Sequence, residues 1–346
     1  MECNKDQYSF LHAEVFAREE HSAGGQCQDA KLHDGQQHIS IAGTGDQTET
    51  LMRHCTLCPR SCGVDRTAGE TGYCGMTDEL RVARAALHHW EEPCLSGTRG
   101  SGTVFFSGCP MRCVYCQNQP IAEGQAGKSI SIARLTEIFL ELQQQGAHNI
   151  NLVTPTHFIP QIRSALFEAK KQGLCLPVVY NTSGYEKPSS LRLLDGLIDV
   201  YLPDLKYIDR EPAQRYSNAP DYFIRASSAL AEMYQQVGEP RFDADGIMQR
   251  GIIVRHLVLP GRVRDAKRIV RYLLETYGDR IYISLMSQFT PLAPKSTYPE
   301  LAHKLPEEAY ARLIDYACRL GLKNGFIQEG GAATESFIPP FDGEGV

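Results

Sequence analysis

Gly102-Thr-Val-Phe-Phe-Ser-Gly-Cys109-Pro-Met-Arg-Cys113-Val-Tyr-Cys116-Gln-Asn118 decides how the rest of the chain is read. Its first half is a run of β-branched and aromatic residues, the composition of a buried strand. Ser107-Gly108 and then Pro110 end that strand and turn the chain into a loop. The loop carries three cysteines, Cys109 and Cys113 separated by three residues and Cys113 and Cys116 by two. Three thiolates this close can serve one metal centre, but they cannot fill four ligand positions. The spacing predicts an iron–sulfur cluster with one iron open to a non-protein ligand, mounted at the end of a strand.

The 346 residues around this loop suffice for a large core, as one big α/β domain or two smaller ones. A hydrophobic fraction of 42% with 22% charged residues is that of an ordinary soluble globular protein. The net charge of −6 provides no broad basic field for nucleic acid and no polybasic membrane anchor. No apolar run is long enough to span a bilayer. The N-terminus lacks the basic-then-apolar order of a secretory signal. Of the 12 cysteines, seven fall in two clusters between Cys55 and Cys116 at metal-ligand spacings. A reduced, cytoplasmic metalloprotein is the expectation, with no nucleic-acid or membrane partner.

Upstream of the loop, residues 1–48 are rich in Gln, His, Gly, Asp and Ser without apolar periodicity, and read as a disordered polar tail. Cys3 and Cys27 lie there without partners at ligand spacing. Residues 49–100 form a cysteine-rich extension. Cys55-Thr-Leu-Cys58-Pro-Arg-Ser-Cys62 and then Cys74 place four cysteines among Gly and Pro, the pattern of a small metal knuckle. A Cys₄ zinc site and a second iron–sulfur cluster both satisfy those spacings. Leu80–Ala86 reads as a short strand. His88-His-Trp-Glu-Glu-Pro-Cys94 reads as a surface turn ahead of the first barrel strand, with Cys94 simply buried.

Downstream, strand-like runs recur at 103–107, 150–154, 177–181, 199–203, 251–258 and 280–285. Helical patterns lie between them. Ile132, Leu135, Ile138, Phe139 and Leu142 share one face, as do Ile162, Ala165, Leu166 and Ala169, and Ala266, Ile269, Val270 and Leu273. Strands alternating with helices mean a parallel sheet with right-handed crossovers, buried on both faces. Six such units predict an α/β fold, a partial (β/α)6 TIM-like barrel over residues 101–330, with a C-terminal tail at 331–346. A doubly wound sheet has the same periodicity. Polar residues cluster where each strand ends, which is where parallel α/β folds place their chemistry. These are the cysteine loop, Thr154-Pro-Thr-His157, Asn181-Thr-Ser-Gly-Tyr185, Asp204-Leu-Lys206, Arg255-His256 and Ser287-Gln288. No Gly-x-Ser-x-Gly or His-Glu-x-x-His occurs, which removes the common hydrolase motifs.

Cys109-x₃-Cys113-x₂-Cys116 after a Gly-ended strand resembles the radical S-adenosylmethionine superfamily. Cys116-Gln-Asn118 and Asp204-Leu-Lys206 are similar to segments of glycyl-radical-enzyme activases. Cys58-Pro-Arg-Ser-Cys-Gly63, Gly102–Cys109, Val153-Thr-Pro-Thr-His157 and Tyr201-Leu-Pro-Asp-Leu-Lys206 together resemble the PflX-type homologues of pyruvate formate-lyase-activating enzyme, over roughly residues 50–330. The resemblance implies a [4Fe–4S] cluster on Cys109, Cys113 and Cys116, with S-adenosylmethionine on the fourth iron. It implies reductive cleavage of that cofactor to a 5′-deoxyadenosyl radical, which abstracts hydrogen from an unidentified substrate, a protein among the candidates. A reductant such as flavodoxin or ferredoxin would be a partner. Asn118, Asp204 and Lys206 become candidate S-adenosylmethionine contacts, with Asn181 and Thr182 beside them and Tyr115 near the adenine. Cys55, Cys58, Cys62 and Cys74 are candidates for a second metal centre. Activases usually carry Gly-Gly-Glu where this chain has Thr154-Pro-Thr156, so the acidic partner of the methionine ammonium group is missing there. The alternative class is a non-catalytic zinc or iron–sulfur protein serving binding or electron transfer.

Overall fold

The computed structural model describes residues 50–328 and 339–346. The polar tail at 1–48 and residues 331–338 lie outside them. One sheet contains β1 (Arg81–His88), β2 (Ser101–Phe106), β3 (Lys128–Ser129), β4 (Ile150–Val153), β5 (Val178–Thr182), β6 (Val200–Pro203), β7 (Arg241–Phe242), β8 (Met248–Leu257), β9 (Tyr282–Met286) and β10 (Gly325–Ile327). The order is β10-β9-β8-β6-β5-β4-β2-β1-β3, with β7 paired to β8. Every neighbouring pair from β2 to β10 along this path is parallel. The six expected strands are therefore present, and β10 adds a seventh that is too short to stand out in the sequence. β1 runs antiparallel to β2, so the barrel stays open at that edge.

Each central strand is buried on both faces, and alternation divides its side chains between two cores. Val178, Tyr180, Tyr201, Ile252 and Val254 face outward into the large core shared with the helices. Val179, Val200, Leu202 and Ile253 face the lumen, where Cys94 and Leu95 pack against them. The helix Ile132–Gln144 buries Leu135, Ile138, Phe139 and Leu142, and Ser131 caps it by accepting from the Arg134 N–H. The helix Ile159–Lys171 buries Ile162, Ala165, Leu166 and Ala169. The helix Val263–Tyr277 buries Ala266, Ile269, Val270 and Leu273. All three stripes are those expected from the 3.6-residue period, except that Ile132 stays exposed.

The chain end is docked onto the sheet. Gly343 N–H donates to Ala83 O at 3.1 Å and Ala85 N–H to Glu344 O at 2.9 Å. Arg84 pairs with Asp342 and Glu344, and the Phe341 ring meets Phe105 edge-on with centroids 5.5 Å apart. These bonds cover unpaired backbone on β1 that would otherwise be open to another strand.

Candidate active site

The cysteine loop leaves β2 through Gly108, whose φ is +86°. A Cβ there would stand 2.5 Å from Met76 Cγ and 2.9 Å from the Cys74 carbonyl, so the position requires glycine. That contact joins the two cysteine segments back to back. Two arginines of the extension hold the junction. Arg60 donates to Pro110 O at 2.8 Å and to Ser217 O at 2.9 Å, and to Asn218 O. Arg66 is fully buried and donates to His157 O at 2.6 Å and to Thr77 O. Lys187 and Ser190 in turn donate to Thr56 O and Leu57 O at 2.8 and 2.7 Å.

Cys109, Cys113 and Cys116 border one cavity of ≈ 260 Å³ at the C-terminal ends of the strands. Burial first, then repulsion from Cys113, pushes the Cys109 thiol up to about 11. Burial, with Cys109 and Cys113, pushes Cys116 up to about 12. Thiols so placed become thiolates only against a positive centre, the donor chemistry of a metal site. Backbone N–H groups of Met111 and Asn118 already point at the Cys109 and Cys116 sulfurs, and hydrogen bonds to sulfur tune such centres. Among the described residues, no three thiol, imidazole or carboxylate groups close around a single ion. A cubane takes one thiolate per iron, so ligands spread along a cavity edge fit it better than they fit zinc.

The other expected contacts meet at this cavity. Asn118, Asn181, Thr182, Asp204 and Lys206 all line it, and so does Tyr115. Lys206 donates its ammonium to the Asp204 carboxylate. Burial would depress the Lys206 pKa, but the adjacent Asp204 outweighs it and holds the lysine charged. Tyr115 is buried and is spoken for at its hydroxyl by Tyr207 at 2.6 Å. His157 and His256, singled out at strand ends, are buried on Ser107 O and Leu205 O at 2.6 and 2.7 Å and support backbone instead.

The segment expected as a surface turn is the main correction. Glu91 and Glu92 are buried inside the lumen, 9% and 0% exposed, and both pair with Arg255 of β8. The Arg255 Nε reaches Glu92 at 2.7 Å, and Asn151 Nδ2 reaches Glu91 at 3.0 Å. Burial pushes the Glu91 carboxyl up, yet the Arg255 guanidinium outweighs that and holds it below the ordinary carboxylate range. The turn drops into the open barrel because Cys94 and Leu95 anchor it on the lumen floor. Two adjacent acids beside a strand, with an arginine at a distant strand end, were the available signal; only the fold pairs them. Trp90, His88, Gln117 and Gln328 also border the cavity. Another buried carboxylate, Glu186, accepts from the Thr156 and Thr182 hydroxyls. Burial raises it to about 7.

Cys55, Cys58 and Cys74 are buried and Cys62 is exposed. The Arg60 and Met76 N–H groups point at the Cys58 and Cys74 sulfurs, each from two residues ahead. That is the same turn used at Cys109 and Cys116.

An open parallel barrel with a three-thiol loop after its first parallel strand and a polar cavity along its rim is a scaffold for cluster-dependent chemistry. Residues 103–261, under half of the chain, match the Radical SAM superfamily. That superfamily implies a [4Fe–4S] cluster and S-adenosylmethionine. The chain is 26% identical over 285 residues to the uncharacterized protein MJ0674 of Methanocaldococcus jannaschii, covering 79% of this chain and 77% of that one. Streptococcus suis SuiB bound to precursor peptide SuiA superposes with a TM-score of 0.45 and 14% identity, over 64% of this chain and 46% of that one. SuiB bound to S-adenosylmethionine gives 0.45 and 14% over 64% and 48%. A domain of pyruvate-formate lyase-activating enzyme from Bacteroides vulgatus gives 0.34 and 15% over 49% and 91%. The chain thus spans under half the length of the SuiB structures it matches. Among the described residues no helix is long and apolar enough to cross a membrane.

Proposed function

We propose that this chain is an activase-like radical SAM enzyme, a PflX-type homologue of pyruvate formate-lyase-activating enzyme, acting on a substrate that includes proteins among its candidates. One observation carries the reading. The three thiols of Cys109, Cys113 and Cys116 border the same cavity as Asn118, Asp204 and Lys206.

Cys109, Cys113 and Cys116 would hold three irons and leave the fourth to the cofactor. Bound there, cluster and S-adenosylmethionine supply an electron and a 5′-deoxyadenosyl radical able to take hydrogen from a C–H bond. The chain's own part is binding, orientation and exclusion of water. Lys206 offers a fixed positive charge for a carboxylate, kept in place by Asp204. Asn118, Asn181 and Thr182 supply neutral polar contacts, and the buried ring of Tyr115 a flat surface. Phe105, Met111, Val153 and Leu257 make the apolar walls that deny a radical other targets. Cys55, Cys58, Cys62 and Cys74 form a second metal centre in this reading, supported by the matching N–H···S turns. A cytoplasmic flavodoxin or ferredoxin would be the electron donor.

Anaerobic reconstitution tests the proposal. A reducible [4Fe–4S] signal that shifts on adding S-adenosylmethionine, with 5′-deoxyadenosine released after reduction, is expected. Cys113→Ala should abolish that release, whereas Cys58→Ala should keep the main cluster and cofactor cleavage. Zinc without iron and no 5′-deoxyadenosine would overturn it. Deuterium appearing in 5′-deoxyadenosine from a labelled candidate identifies the substrate.

A further inference from the structure

The exposed stripe of the helix Val263–Tyr277 is basic. Arg264, Lys267, Arg268 and Arg271 recur at helical spacing opposite the buried Ala266, Ile269, Val270 and Leu273. The first acid on that stripe, Glu275, comes a turn after Arg271. The helix Arg210–Ser217 lies alongside and adds Arg210 and Arg215, with Arg262 between the two helices. Acids match three of these cations: Glu300 pairs with Arg215 at 2.6 Å, Glu211 with Arg262 at 2.7 Å, and Asp209 with Arg268. Asp265 is turned inward, accepting from the Ile208 and Asp209 N–H groups at 3.2 and 3.1 Å. Arg210 and Arg264 make no ion pair among the described residues, and Lys267 and Arg271 lie over the Tyr316 ring. The face is therefore positive on a chain whose net charge is −6. Like charges at i,i+3 and i,i+4 repel, and Arg264 in the first turn opposes the helix dipole. Local stability disfavours this arrangement, and an acidic partner is what it fits.

This face backs directly onto the cysteine loop. Ser217, the last residue of the helix Arg210–Ser217, donates its hydroxyl to the Cys113 sulfur at 3.0 Å. The Val114 N–H donates to Tyr216 O at 2.9 Å. The Tyr216 ring lies edge-on to Tyr115 at 6.4 Å and to Tyr298 at 6.1 Å. Its hydroxyl donates to Glu300 at 3.0 Å and accepts from Arg262 at 3.2 Å. One aromatic side chain thus separates the loop from a surface groove bordered by Arg210, Glu211, Gln214, Arg215 and Tyr298. The cavity that the same cysteines border faces Glu91, Glu92 and Arg255 in the lumen. A partner on the outer face and a substrate in the cavity would therefore not compete. We infer that the basic face of these two helices is the docking surface for an acidic one-electron carrier protein, which delivers its electron beside Cys113. The reduced carrier loses one electron, the metal centre on Cys109, Cys113 and Cys116 gains it, and no bond or proton moves. The inference rests on the radical SAM reading for that acceptor, while the docking rests on charge alone.

Reconstituted full-length protein is titrated calorimetrically with an acidic flavodoxin, kept oxidised so that binding is read without turnover, and with a single-stranded RNA. At about 0.01 and 0.15 M salt the screening length is about 30 and 8 Å, so flavodoxin should bind about tenfold or more weaker at the higher salt. Arg264→Glu/Arg271→Glu reverses two cations without carboxylate partners and should weaken low-salt binding about tenfold or more. Arg163→Glu/Lys171→Glu makes the same change in total charge on the helix Ile159–Lys171, which follows β4, three places from β8 in the sheet. That control should weaken binding about twofold or less. The ratio of flavodoxin-driven to dithionite-driven 5′-deoxyadenosine release should fall with the first pair and hold with the second. In case the first pair fails to fold, zero-length carbodiimide coupling of the wild type to flavodoxin reads the same surface, with Lys267 as the expected coupled amine. Salt-insensitive binding, equal losses in the two double variants, coupling confined to other lysines, or RNA bound tighter than flavodoxin overturns the inference. Flavodoxin bound at this face with no 5′-deoxyadenosine released on reduction would uphold the docking surface and sink the radical SAM reading instead.

Discussion

The Arg60 guanidinium donates to the carbonyl of Pro110 at 2.8 Å, fifty residues along the chain and directly after Cys109. The same group lies over the Tyr73 ring at 3.9 Å and reaches Ser217 and Asn218. The cysteine-rich extension is thereby a brace on the loop that would hold the cluster.

Removing the brace should therefore loosen the loop more than the fold. Arg60→Met deletes three charged hydrogen bonds to carbonyls. At about 1.5–3 kcal/mol for such bonds when buried, and less at this half-exposed site, a total loss of about 2–4 kcal/mol is expected. Denaturant unfolding measures that loss, and the rate of iron release to a chelator measures the loop. A chelation rate equal to wild type would confine the brace to stability.

Gly108→Ala attacks the same junction from the backbone. The residue sits at φ +86° and its Cβ would press on Met76 and the Cys74 carbonyl. The left-handed conformation alone costs about 1–2 kcal/mol, and the contact adds to it. Lower melting temperature and reduced iron content after reconstitution are expected; a fully loaded, equally stable variant would show that the junction yields.

Arg255→Met leaves Glu91 and Glu92 buried without their cation. Breaking a buried pair in this way costs about 3–5 kcal/mol. Adding Glu92→Gln to Arg255→Met should recover part of that loss, because one fewer charge is stranded. Urea unfolding of wild type, Arg255→Met, Glu92→Gln and the double variant checks it, and strict additivity would mean the groups are not coupled.

Glu186 makes stability pH-dependent in a defined direction. Its folded pKa is about 7 against an ordinary value of 4.5. A raised carboxyl pKa means the folded chain binds the proton more tightly than the unfolded one. Its contribution is therefore fully present below the ordinary value and is lost as pH rises through the folded value. Relative to Glu186→Gln, wild type should lose about 3 kcal/mol between pH 4.5 and 7. Parallel stability curves for the two proteins would show that Glu186 carries an ordinary pKa.

Much of the architecture was legible in the chain. The positions of β1, β2, β4, β5, β6, β8 and β9 and the buried helix stripes follow from local periodicity, because alternation and the 3.6-residue repeat are imposed within single elements. β10 was missed because three residues carry no period. Cys109, Cys113, Cys116 and Asn118 could be placed together because they share one loop. The pairing Asp204–Lys206 could be placed because it spans one strand end.

The lumen was not legible. His88–Glu92 looks like a polar surface turn, and nothing local says that Leu95 will anchor it inside an open barrel or that Arg255 waits there. Glu186 showed no pattern, since its partners Thr156 and Thr182 come from two different strand ends. What the sequence by itself determined was the cluster loop and the rim, where neighbours in space are neighbours along the chain. The tertiary structure alone decided the floor of the cavity. Buried charges must be paired, and their partners lie up to 164 residues apart.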